Sequence, residues 1–174
     1  TFWIQVGQDI NGEAVGDYSG KTVAINSIGN IVAIGAPDNN SNSGHVRVYE
    51  NINSNWIQIG QDIDGNSGDM LTSVSLSANG NIVAVGAHYN NTNGYNSGRA
   101  RVFENINNNW TQVGINLNGT NGNEFGRSVS ISADASVLAV SAPNHNTGWG
   151  YARVFSVGGA QTSPPCSGCT DSLA

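Results

Sequence analysis

Oxygen-bearing side chains alternate in Asp62-Ile63-Asp64-Gly65-Asn66-Ser67-Gly68-Asp69, setting Asp62, Asp64, Asn66 and Asp69 around a glycine bend. The spacing returns at Asp9, Asn11, Glu13 and Asp17. Carboxylates and amides at alternate positions of a bend are how a hard cation such as calcium gathers its oxygen ligands. A third copy, Asn116, Asn118, Thr120 and Asn123, lacks the carboxylates, so calcium is a candidate cofactor of the first two copies alone. The competing reading is a polar turn between structural units. Cys166 and Cys169 form one CxxC near the end of the chain. A lone CxxC suits a redox pair, half a zinc site, or thiols whose partners lie beyond this segment. With no second CxxC and no matching histidine pair, these cysteines read first as disulfide candidates of an extracellular module.

Catalytic patterns are missing from the sequence. It has no GxSxG elbow, no HExxH pair and no phosphate-binding loop, and its three histidines occupy unlike positions. The chain therefore reads as a non-enzyme. Binding has better candidates in the long polar loops, where Tyr89, Tyr95 and Trp149 stand near His88 and His145. Loops on a rigid scaffold are where ligands are usually held, and aromatic faces stack on sugars.

The scaffold is a repeat. An aromatic strand recurs as Trp3-Ile4-Gln5-Val6-Gly7, Trp56-Ile57-Gln58-Ile59-Gly60 and Trp110-Thr111-Gln112-Val113-Gly114. An apolar strand recurs at residues 31–36, 82–87 and 137–142, and a third landmark at 45–49, 99–103 and 151–155. A fourth β-rich stretch, at 22–26, 73–77 and 128–132, leads into each apolar strand through a short turn such as Asn79-Gly80. Four short strands repeated about every 50 residues predict an all-β fold of propeller blades. The apolar strand is expected inside each sheet and the Trp strand at its outer edge. Trp3, Trp56 and Trp110 are expected in the packing between blades, and Arg47, Arg101 and Arg153 on carboxylates or carbonyls there.

Blades are predicted at about 17–71, 72–121 and 122–157, the last completed by residues 1–12 in cis or in trans; residues 158–174 form a linker and the start of a Cys-containing segment. Three blades are fewer than a closed ring needs, about four at least. The expected partners are therefore further propeller repeats of the same or a second chain.

Composition narrows the function. Only 10% of the 174 residues are charged and 23 are Gly, which favours turns over helices. A net charge of -6 disfavours nucleic acid and anionic membranes. No apolar run reaches the ~20 residues of a membrane helix, so no membrane insertion is expected. Thr1 begins in repeat sequence without a signal-peptide pattern, as in a mature or excised segment.

The frame Ser73-Val74-Ser75-Leu76-Ser77-Ala78-Asn79-Gly80-Asn81-Ile82-Val83-Ala84-Val85-Gly86-Ala87, followed by Gly98-Arg99-Ala100-Arg101-Val102-Phe103, resembles an FG-GAP-type repeat. The Trp-x-Gln-x-Gly-x-x-Ile-x-Gly variety resembles repeats of large secreted bacterial surface proteins, over roughly residues 2–157. The tail from Gly168 resembles the opening of a short Cys-containing module of such proteins. The resemblance implies integrin-alpha-like β-propeller blades, an extracellular or cell-surface location, and a structural, adhesive or protein-interaction role. A glycan-binding lectin using the loop aromatics, with or without calcium, is the alternative. The family's calcium loop lies between the first two strands of a blade; here those turns are 27–30, 78–81 and 133–136 and hold only Asp134, so that site does not carry over.

Overall fold

The computed structural model describes residues 2–156, the side chains of Asn146 and Thr147 excepted. Cys166, Cys169 and the 158–174 segment lie outside the described residues. The fold is all-β: β1 (Thr22–Ile25), β2 (Ile31–Ala36), β3 (His45–Ile52), β4 (Asn55–Gln58), β5 (Ile63–Asp64), β6 (Ser73–Leu76), β7 (Ile82–Ala87), β8 (Arg99–Ile106), β9 (Asn109–Asn118), β10 (Val129–Ile131), β11 (Val137–Ala142) and β12 (Tyr151–Ser156). They form three antiparallel sheets with orders β1-β2-β3-β4, β6-β7-β8-β9 and β10-β11-β12, with β5 also pairing β3.

Local sequence explains the hairpins. The turns entering β2 and β7 place Gly29 and Gly80 at φ 76, a left-handed conformation that glycine adopts freely. The turn entering β11 puts Ala135 there instead, at φ 60. The β3–β4 and β8–β9 hairpins run through Asn53-Ser54 and Asn107-Asn108, all at positive φ, as two-residue turns matching strand twist require.

The sheets stack side by side, with β1, β6 and β10 adjacent. Their turns are tied in series: Ser27 donates its N–H to the Ala78 carbonyl at 3.2 Å, and Ala78 donates to Ala133 at 2.8 Å. Strand alternation divides the core in two. Val83, Val85 and Ala87 face the first sheet and meet Ile31, Ala33, Val46 and Val48. Ala84, Ala100 and Val102 face the third sheet and meet Leu138, Val140 and Ala142. β7 is thus buried on both sides, which is why its sequence is a nearly unbroken apolar run.

Residues 2–12 form no strand, and β12 pairs only with β11 among the described residues. The segment lies against the first sheet, where Gln8 and Val6 hold Trp56. The register explains this. Residues 6–8 correspond to 59–61, which bind the next sheet's Trp110 and not their own.

Candidate functional site

Three features stand out, each built from equivalent positions that have diverged. The first is a groove at one end of the strands, running across all three sheets, a cavity of about 570 Å3. Lys21, Thr72 and Arg127 enter it from the residues that lead into the inner strands, joined by Tyr18, His88 and Tyr89. Tyr18 and Met70, which also lines it, have positive φ (51 and 47), as does their counterpart Glu124 (φ 53). Non-glycine residues are rarely held so unless the surroundings fix them.

Within the groove His88 is buried, its ring 4.0 Å from that of Tyr89. Burial, with a smaller push from Arg127, lowers its pKa to about 4. Its Nδ1 lies 2.6 Å from the Thr72 hydroxyl, while Nε2 is buried without a partner. The arrangement suits stacking and hydrogen bonding.

The second feature is the set of inter-sheet turns in which the sequence suggested calcium. The carboxylates of neither turn come together as a set of three among the described residues. They serve the protein's own donors instead. Asp9 accepts from Gln5 at 2.9 Å and Asp62 from Gln58 at 2.7 Å. The Asn11 and Asp64 carbonyls each accept from an arginine, Arg47 and Arg101, at 3.0 Å. Arg153, their counterpart, lies over the Tyr151 ring at 4.6 Å. Asp17 accepts from the Ala14 N–H and from Asn39, both at 3.1 Å. Asp69, fully buried, accepts from the Asn66 N–H at 2.9 Å, from Asn90 at 2.7 Å and from Arg99. Burial, then the neighbouring Asp62, raises the Asp64 pKa.

What these turns do bring together crosses the two copies. Glu13, His45 and Asp62 each place a ligand atom within 4.8 Å of the others. The sequence reading named both carboxylates but missed His45, because it compared residues along each loop and not across the sheet. The signal was available in the register, which aligns His45 with Arg99 and Tyr151.

The third feature is a mainly apolar cavity of about 720 Å3 between the second and third sheets, lined by Ile82, Val102, Val113, Leu138 and Phe155 among others. Their counterparts Ile31, Val48, Ile59, Val83 and Phe103 close around Trp110 between the first and second sheets. The expected packing role therefore holds for Trp110, whose Nε1 donates to the Ile59 carbonyl at 2.8 Å. Trp56 is partly exposed and donates to Val6 at 2.9 Å. Trp3 is 98% exposed, and the packing expected of it is not made. Of the loop aromatics only Tyr89 joins the end groove; Tyr95 and Trp149 are exposed and outside it.

The chain matches no protein-family model and no curated protein sequence. Among solved structures it is similar in fold to hydrazine synthase of Kuenenia stuttgartiensis, with a TM-score of 0.55 and 11% identity over 89% of this chain and 36% of that one. It is also similar to a complex of KlAtg21 with the coiled coil of AgAtg16, with a TM-score of 0.57 and 15% identity over 78% of this chain and 39% of that one. The chain spans little more than a third of either. At such identities the likeness is one of fold alone, and it defines a class: all-β chains of antiparallel sheets. Among the described residues no helix is long and apolar enough to cross a membrane.

Proposed function

We propose that this chain is a non-catalytic β-propeller segment of FG-GAP-like units whose role is structural or adhesive, and whose third sheet is completed in trans by the Trp3 strand of another copy or of a further unit like it. One observation carries the reading. The cavity of about 720 Å3 is lined by counterparts of the residues that hold Trp110. The register supplies the details. Gln112 pairs with Phe103, so Gln5 of the incoming strand pairs with Phe155. Trp3 then fills the cavity, and its indole N–H reaches the Val113 carbonyl as Trp110 reaches Ile59. Residues 6–8 of the same strand remain free to hold Trp56, as they do here.

A synthetic peptide of residues 2–10 tests this. Added to the full chain, it should slow amide exchange in β12, and the same peptide with Trp3→Ala should not. No protection, or equal protection by both peptides, overturns the reading. A polar, weakly charged surface fits an extracellular or cell-surface setting. A second reading, glycan binding, is favoured by the Tyr18 and Tyr89 rings in the end groove. Tyr89→Ala tested on a glycan array decides it, since sugar binding that survives the change would leave that groove uninvolved.

A further inference from the structure

We propose that Glu13, His45 and Asp62 form a site for one divalent cation of borderline softness, of which zinc is the type. His45 Nδ1 lies 3.3 Å from an Asp62 carboxylate oxygen and 3.8 Å from one of Glu13. Two ligands on a tetrahedral zinc, bound at about 2.0–2.2 Å, stand about 3.3 Å apart. The His45–Asp62 spacing already meets this condition. Glu13 is half-exposed, so a small turn of its side chain brings the third ligand in and leaves a fourth position for water. One imidazole and two carboxylates suit zinc and its neighbours; calcium takes oxygens and is poorly served by a ring nitrogen.

The His45 ring is 2% exposed, and its Nδ1 is held between the Asp62 carboxylate at 3.3 Å and that of Glu13 at 3.8 Å. A second observation stands apart from the cluster itself. In the second sheet the same register position carries Arg99, a fixed cation bound to Asp69. The first sheet has no guanidinium at that position; Arg47 nearby donates to the Asn11 carbonyl and lies 3.5 Å from Glu13, leaving His45 alone to face Asp62 as an ion-pair partner among the described residues. A bound dication would take His45 Nδ1 as a ligand and set a positive charge between the two carboxylates that flank it.

The test uses the full chain with Cys166 and Cys169 changed to Ser, so that thiols do not bind metal, after treatment with chelator. Zinc titrated by calorimetry should bind once per chain, cobalt should give the visible bands of low coordination, and calcium should give neither. Glu13→Gln, at an exposed position, should weaken zinc binding at least about tenfold. His45→Arg, the residue of the second sheet, should abolish it without lowering the melting temperature. No zinc uptake by the parent chain, or equal uptake by both variants, overturns the proposal.

Discussion

The second sheet has a neighbour on each side, while the first and third each have one, and this difference accounts for most of the divergence among equivalent residues. Val74 and Leu76 are buried at 8% and 9% exposure, whereas their counterparts Val23 and Ile25 are about 60% exposed. On the opposite face Val102 is buried and its counterpart Val154 stands 69% exposed. The side chains are alike, so burial here is set by the neighbour and not by the residue. The free face of the third sheet matches the face that the first and second present to the sheet following them. The two open surfaces of the chain are therefore the two halves of an interface it makes twice internally.

The comparison can be broken most severely at the carboxylate hubs. Asp69→Ala should cost about 3–5 kcal/mol in chemical denaturation, because it leaves Arg99 buried without its partner. Asp17→Ala, at the matching place in the first sheet, removes only hydrogen bonds and should cost about 1 kcal/mol. Equal losses would mean that the hubs do not differ as their partners do.

A similar contrast applies to the tryptophans. Trp110→Ala empties a closed inter-sheet pocket and should cost about 3–4 kcal/mol, while Trp3→Ala should change the stability of the isolated chain by less than about 0.5 kcal/mol. If Trp3→Ala proves as costly, its exposure has been misjudged.

Acid should expose a further asymmetry. The folded pKa of His88, about 4, lies below the ordinary 6.5, so the unfolded chain takes up the proton first. The stability that depends on its neutral form is complete above pH 6.5 and falls as pH drops towards 4, by roughly 1–2 kcal/mol once solvent screening is allowed for. His88→Gln should flatten that part of the curve; an unchanged slope would show that other groups produce it. The smallest effect belongs to the hairpin turns. Ala135→Gly, giving the third turn the residue of the first two, should stabilise by roughly 0.5 kcal/mol in the same denaturation measurement. A loss would mean that the Ala135 methyl matters more in the second core than its left-handed backbone costs.

Much of the fold is legible in the sequence. The repeat sets strand order and the outer place of the Trp strands, because alternation and turn chemistry act within about ten residues. The position of residues 2–12 is not legible locally, since the same Trp-x-Gln segment both edges one sheet and clamps the next. Spacing along a loop likewise does not reveal that Asp69 faces Arg99, thirty positions away. Tyr89 was found among the loop aromatics, but Tyr18 and Lys21 reach the end groove from the first unit and Arg127 from the third, and no linear motif joins them.

Sedimentation equilibrium of the full chain across a wide concentration range bears most directly on the claim that its open ends complement each other. The account predicts association in whole multiples of the chain, lost when Trp3 is replaced by Ala or Val23 by Asp. A chain that stays monomeric throughout, or associates equally well with both substitutions, contradicts it.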